Sequence, residues 1–126
     1  MVIVQSKSRR KPSGARYKAK IIKKRQHLIG RNPAMTKVAA VKVQKIRTRG
    51  SGQKLRLLNC DKVNLYDPKS KKFSIETIKS VVESPADKNF VRRNIMTKGT
   101  IIATSKGNAK ITNRPGQDGI ISAILI

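Results

Sequence analysis

The first sixty residues of this chain contain no Asp and no Glu, and this absence restricts what they can fold into. The same stretch carries eighteen Lys and Arg, while Asp61–Ile126 carries twelve against six acids. The formal charge is therefore +18 in the first part and +6 in the second, which sums to +24. Because a block with this charge repels itself when it is compact, we expect a polyanion to supply the neutralising charge.

The length of 126 residues is that of one domain with an extension. Hydrophobic residues make up 37% of the chain, below the ~45–50% of an average globular protein, and the deficit lies at the N-terminus. We therefore predict a basic extension and connector over residues 1–37 and a folded domain over residues 38–126.

Several classes of site are disfavoured by the residue inventory. The single cysteine, Cys60, excludes an internal disulfide, and with one histidine, His27, it cannot form a zinc finger. We expect no metal site and no cofactor. The first residues lack the longer apolar region of a signal peptide, and a transit peptide is disfavoured because the basic character continues past Arg49. We therefore expect a cytoplasmic protein.

The sequence pI of about 11.3 leaves nucleic acid, an anionic membrane surface or an acidic protein as the polyanion. A membrane binder usually carries a basic amphipathic helix, and residues 7–25 show no apolar stripe. No apolar run approaches the ~20 residues that span a bilayer. Nucleic acid is the favoured partner, and we expect neither a membrane nor a small-molecule substrate.

The basic tail is the first candidate RNA-binding segment. Pro12, Ser13 and Gly14 interrupt any helix early, so we expect a solvated tail without fixed structure in the free protein that becomes ordered along RNA phosphates. Arg31 follows in a turn-rich connector. The tail candidates are Lys7, Arg9, Arg10, Lys11, Arg16, Lys18, Lys20, Lys23, Lys24 and Arg25.

The second candidate is a hairpin. Val41–Arg49 and Lys54–Leu58 are rich in β-branched and aliphatic residues and flank a Gly-containing loop, a pattern typical of two paired strands. By the two-residue period of a strand, Lys45, Arg47 and Arg49 share one face, and Lys54 and Arg56 share a face of the partner strand. Whether the two basic faces coincide depends on the register.

The remaining residues predict further short strands. A turn at Asp67–Ser70 follows the strand Lys62–Tyr66, and the β-branched content of Phe73–Val82 favours a strand over a helix. Asp87 is placed to cap one or two helical turns over Lys88–Asn94. The other predicted elements are a hairpin of Thr100–Thr104 with Ala109–Thr112, a loop over Arg114–Gly119 and a buried strand over Ile120–Ile126. About six strands predict an all-β fold, a small antiparallel barrel.

Catalysis is disfavoured. Asp67 is explained by a turn and Asp87 by a cap, and a single histidine in a basic segment supports no Ser-His-Asp arrangement. Gly50–Lys54 fails as a nucleotide phosphate loop because a strand follows it instead of a helix. Three other arginines adjoin predicted turns with no acid close in sequence and are candidates for phosphate contact: Arg92, Arg93 and Arg114.

Several motifs together resemble the archaeal and eukaryotic-type ribosomal protein eight family of the small subunit, which is distinct from the bacterial-type protein of the same number. The motifs are Lys7–Gly14, Gly30–Ala34, Ile46–Gly50, Lys54–Leu58, Val81–Ala86, Val91–Ile95, Thr97–Gly99 and Arg114–Gly119. The chain lacks the long insertion of eukaryotic members and looks like the compact archaeal form. It departs from the family pattern at Gly50-Ser51-Gly52, where Gly-Gly-Asn is usual, and at Asn59, where a basic residue is common.

The resemblance implies a small β-barrel with a basic N-terminal extension, bound to small-subunit ribosomal RNA beside other ribosomal proteins. We therefore expect a non-catalytic structural constituent of the small ribosomal subunit. The alternative is a ribosome assembly factor that uses the same barrel. An enzyme acting on RNA is disfavoured because no acid–base constellation is evident.

Overall fold

The computed structural model describes residues 3–5, 7–8, 10–17 and 25–126. The chain divides into two compact units, Met1–Pro33 and Ala34–Ile126. In the first unit, strand β1 (Ile3–Val4) pairs antiparallel with strand β2 (Ile29–Gly30). A 3-10 turn, Gln26–Leu28, leads directly into β2.

The second unit begins with a three-stranded sheet. Strands β4 (Lys42–Arg47) and β5 (Gln53–Cys60) form an antiparallel hairpin, which confirms the hairpin predicted from the sequence. A 3-10 turn at Arg49–Ser51 makes its tip. Strand β3 (Lys37–Val38) pairs parallel with the other edge of β5, so the order is β3-β5-β4.

The remaining five strands close into a barrel in the order β10-β6-β7-β8-β9. They are β6 (Lys62–Asp67), β7 (Lys72–Glu83), β8 (Ile101–Thr104), β9 (Asn108–Ile111) and β10 (Ser122–Leu125). The predicted all-β barrel is confirmed, with five strands where about six were expected. Four of its pairings are antiparallel, whereas β10 and β6 pair parallel. Parallel neighbouring strands need a long connection between them, so the β10–β6 pair cannot be predicted from turn residues in the sequence.

Two short helices complete the fold. Helix α1 (Lys88–Arg92) begins after Asp87, whose carboxylate accepts a hydrogen bond of 2.8 Å from the Asn89 amide, as the predicted cap requires. Helix α2 (Pro115–Asp118) occupies the stretch predicted as a loop, so that prediction was wrong. Proline suits the first helical position, and Gly119 ends the helix with a left-handed φ of 78°.

The core lies inside the barrel and extends to the hairpin. Strand β5 runs into β6 with Asp61 alone between them, so residues of β5 join the barrel core. Leu57 is 1% exposed and packs in the same cluster as Val63 and Leu65. The hairpin is therefore anchored to the barrel at its base. The other core residues are Cys60, Ile78, Val81, Met96, Ile102, Ala109, Ile111, Ile121 and Ala123.

Candidate nucleic-acid interface

A tight turn lies within the N-terminal unit. The Lys11 amide donates to the Ala15 carbonyl at 2.8 Å, and Arg10 and Arg16 form an antiparallel bridge. The guanidinium of Arg10 donates to the Gly14 carbonyl at 3.0 Å. Because like charges directly opposite each other destabilise a strand pair, two exposed arginines in this position are suited to an anion that both can contact.

The described tail and connector candidates are all exposed: Lys7, Arg10, Lys11, Arg16, Arg25 and Arg31. The Nζ atom of Lys11 lies 5.6 Å from the centre of the Tyr17 ring, a cation–π distance. Five further candidates lie outside the described residues: Arg9, Lys18, Lys20, Lys23 and Lys24.

The register of the β4–β5 hairpin answers the question that the sequence left open. Lys45 pairs with Leu55 and Arg47 with Gln53, whereas Lys54 pairs with Ile46 and Arg56 with Gln44. Directly opposed residues project on the same side of a sheet. Lys45 and Arg47 therefore lie on one face, and Lys54 and Arg56 lie on the other. The hairpin is basic on both sides.

Exposure along β5 rises from the base of the hairpin to its tip, whereas β4 is exposed over most of its length. Leu57 is buried and Arg56 is half-buried, whereas Lys45, Arg47, Arg49 and Lys54 are exposed. The outer half of the hairpin lies outside the core cluster, and its contact with α2 is at Leu55. The charged side chains are therefore presented on a projecting element.

The tip itself is a compact turn. The Thr48 amide donates to the Gly52 carbonyl at 2.8 Å, and Gly50 and Ser51 have φ values of 73° and 63°. A Cβ at position 52 would stand 2.7 Å from the Thr48 hydroxyl oxygen, so a larger residue there would require the Thr48 side chain to move. Strand β5 follows the tip directly, whereas a nucleotide phosphate loop is followed by a helix.

Backbone pairing brings Arg92 and Arg93 to the edge of the three-stranded sheet. The Val38 amide donates to the Asn94 carbonyl at 3.2 Å, and the Met96 amide donates to the Thr36 carbonyl at 2.8 Å. The segment that follows α1 thus lies along β3. Both arginines are exposed.

Helix α2 brings Arg114 to the same sheet. A Cβ at Gly119 would lie 3.8 Å from the Cβ of Leu55, which places the end of α2 against β5. Arg114 is exposed, and its amide donates to the Asp118 carboxylate at 2.9 Å. Three separate sequence motifs therefore meet around one sheet.

Two exposed lysines in this region, Lys37 and Lys42, are not among the candidates predicted from the sequence. Both pair in register with Asn59, from opposite sides of β5. The pairing of β3 with β5 is parallel and non-local, so no turn residues in the sequence predict it. Each of the two strands that flank β5 begins with one of these lysines, so the base of the hairpin carries two additional cations. Both lie beside Asn59, where other members of the family often have a basic residue.

Two of the six acidic side chains, Asp67 and Glu76, bond neighbouring groups on the barrel. A hydrogen bond from the Ser70 hydroxyl, with one from the Lys69 amide, lowers the pKa of Asp67. The Lys106 ammonium, 2.8 Å from the Glu76 carboxylate, lowers the pKa of that group, and the Ser105 hydroxyl adds a second bond.

Neither a metal site nor a membrane span is evident where the chain is described. Within residues 3–5, 7–8, 10–17 and 25–126, no group of three or more His, Cys, Asp and Glu is placed to hold a metal ion. None of the helices in those residues is long and apolar enough to cross a bilayer.

Comparison with known proteins gives one consistent result. The family model described as ribosomal protein S8e matches residues 4–126. The "Small ribosomal subunit protein eS8" of Methanobrevibacter smithii is 51% identical over the full length of both chains. The proteins of the same name from Picrophilus torridus and Methanocorpusculum labreanum are 44% identical over the full length and 49% identical over 97% of each chain.

Proposed function

Because this chain belongs to the ribosomal protein S8e family, we propose that it is a structural constituent of the small ribosomal subunit that binds ribosomal RNA through its basic tail and its β4–β5 hairpin. The family is one of structural components and not of enzymes. The proposal places the protein in the cytoplasm with the ribosome, beside other small-subunit proteins.

The two-sided charge of the hairpin carries the RNA-binding part of this proposal. Lys45 and Arg47 project on one face and Lys54 on the other, while Arg49 lies at the tip. A projection that is basic on one side would suit the surface of a single helix. A projection that is basic on both sides suits a cleft between two phosphate backbones, where it reduces the repulsion between them.

The tail, the hairpin, Arg92, Arg93 and Arg114 would act mainly on the RNA backbone. Arginine can contact a phosphate through two parallel hydrogen bonds, and such contacts follow RNA shape more than sequence. Lys37 and Lys42 extend this set at the base of the hairpin.

The decisive experiment is to quantify the protein on salt-washed, mature small subunits from its source cells against a known ribosomal component. One copy per subunit is the expected result. Presence on immature particles alone would favour the assembly-factor alternative, in which the same barrel and basic surfaces act only during assembly.

A further inference from the structure

The outer side of the barrel carries an exposed apolar face that the basic interface does not use. Strand register sets Ile124, Tyr66 and Phe73 side by side across β10, β6 and β7. The neighbouring row is Ser122, Asn64 and Ile75. These two rows together are the outer barrel face. Phe73 is 78% exposed and Ile75 is 71% exposed, which is unusual for large apolar side chains in one patch.

The two aromatic residues of the face support one another. The rings of Tyr66 and Phe73 have centroids 4.9 Å apart at an interplanar angle of 40°. Tyr66 is half-buried within the row, while Phe73 remains open to solvent. Phe73 thus presents an accessible aromatic ring that contacts its neighbour Tyr66.

Two open concavities adjoin Phe73. One has a volume of about 390 Å³ and is lined by Asn64, Phe73, Ser74, Ile75 and Ser122. The other, of about 270 Å³, reaches from Phe73 to Thr112 and Ile124. The backbone amide of Asn64 donates to the Ile121 carbonyl at 2.9 Å. Within the described part of the chain, the side-chain amide of Asn64 and the Ser122 hydroxyl make no hydrogen bond. Each concavity therefore combines an aromatic wall with polar groups able to bond the edge of a planar ligand.

The charge around the outer barrel face is positive. Lys110 pairs with Ile124 at one end of the aromatic row, and Lys62 lies two residues before Asn64 on the same side of β6. The nearest acids of these strands are engaged elsewhere: Asp67 by Ser70 and Glu76 by Lys106 and Ser105. Glu76 also pairs with the buried Val63 and so lies on the opposite side of β7.

From this combination we propose that the outer barrel face binds an unpaired RNA base, which stacks on Phe73 while Lys62 and Lys110 contact the flanking phosphates. The inference rests on the proposed RNA-binding function and adds a second mode of contact to it. Aromatic side chains on a sheet surface stack single-stranded bases in several unrelated folds. An apolar protein partner would use Phe73 and Ile75 but would leave the two lysines, the side-chain amide of Asn64 and the Ser122 hydroxyl without a role.

The first test uses the absence of tryptophan from the chain. Phe73→Trp introduces a single fluorescent side chain at the proposed stacking position. Titration with a single-stranded oligouridylate should quench its fluorescence, and titration with an abasic strand of the same length should not. Val82→Trp is the matched control, because Val82 is also exposed and lies on the same strand. Equal quenching by both strands, or at both positions, would overturn the proposal.

The second test measures affinity. Phe73→Leu keeps an apolar side chain and removes the ring, so binding of the oligouridylate should weaken by about 5- to 150-fold, the loss of one stacked base. Binding of the abasic strand and the salt dependence of both reactions should stay as in the wild type. An unchanged melting temperature verifies the fold of this exposed-site variant.

The possible outcomes separate the two proposals. If the wild-type protein binds neither strand nor a small-subunit RNA fragment, the proposed function fails and the base site fails with it. If it binds all three and Phe73→Leu has no effect, the base site alone is overturned. Normal RNA binding by Phe73→Asp together with its loss from small subunits would also overturn it, in favour of a protein partner.

Discussion

Gly116 lies directly against Ala34: a Cβ built at position 116 would stand 2.8 Å from the Cβ of Ala34. The contact joins Ala34 to the Arg114–Gly119 motif, although Ala34 and Gly116 are 82 positions apart in sequence. Through it, helix α2 is seated beside Thr36, whose hydroxyl donates to the Leu57 carbonyl at 2.7 Å. The close approach therefore lies between the helix that follows Arg114 and the segment bonded to the hairpin base.

Gly116→Ala should lower the free energy of unfolding by about 1–3 kcal/mol, because the added methyl group overlaps a side-chain atom that has no rotamer to escape to. Urea unfolding followed by circular dichroism measures this change. Gln117→Ala, an exposed substitution in the same helix, should change stability by less than about 0.5 kcal/mol. Equal stabilities for the two variants would show that α2 shifts freely away from Ala34.

Arg47→Ala combined with Arg49→Ala should weaken binding to small-subunit RNA and reduce the slope of log K against log salt concentration. If each arginine contacts one phosphate, the slope should fall by about 1.4 to 1.8. Binding is measured over a range of salt concentrations. The matched variant Arg47→Lys with Arg49→Lys retains both charges and should retain the slope. An unaltered slope in the alanine variant would exclude the hairpin tip from the RNA interface.

Asp87→Ala should destabilise the fold by about 1 kcal/mol, because the Asn89 amide loses its capping acceptor at the start of α1. Asp87→Ser, which restores an acceptor without the charge, should recover most of that loss. Thermal unfolding of the three proteins checks both expectations. If serine fails to recover stability, the carboxylate charge rather than the cap is what matters at this position.

The Glu76 carboxyl should make stability depend on pH in the acid range. Its pKa lies below the usual 4.5 because Lys106 and Ser105 bond the charged form. A lowered folded-state pKa means that the stabilisation is complete above the unfolded-state value and is lost as pH falls through the folded-state value. The melting temperature of the wild type should therefore exceed that of Glu76→Gln at pH 7, and the two should converge below about pH 4.5.

Lys106→Ala serves as the matched variant for Glu76→Gln, since it removes the other partner of the same ion pair. It should show the same reduced dependence on pH, and 0.5 M NaCl should shrink the difference from the wild type because the pair is near the surface. Melting curves that run parallel from pH 3 to pH 7 would indicate that the contact adds no stability.

The local parts of the fold could be read from the sequence and the non-local parts could not. The hairpins β4–β5, β6–β7 and β8–β9 and the Asp87 cap follow from turn residues and strand periodicity within a short window. The parallel pairs β3–β5 and β10–β6 carry no such signal, and α2 was hidden because Pro-Gly-Gln-Asp is typical of loops.

The same division applies to the candidate site. Composition identified the basic residues, yet the distribution of Lys45, Arg47, Lys54 and Arg56 over two faces required the register. The position of Lys37 and Lys42 at the base of the hairpin follows only from the strand register, in which both residues pair with Asn59. Phe73 was identified as a strand residue, but its exposure depends on which side of β7 faces the barrel interior.

The parallel pairing of Asn64 with Ser122 also bears on how the chain folds. Contacts between residues so distant in sequence form slowly, because the intervening chain must be ordered first. The edges of β6 and β10 then stay unpaired while the hairpins form, and open strand edges invite association between copies. A net charge of +24 opposes such encounters, since like-charged chains repel. The same positive charge that favours binding to a polyanion would thus also reduce association between partly folded copies, in which β10 has not yet paired with β6.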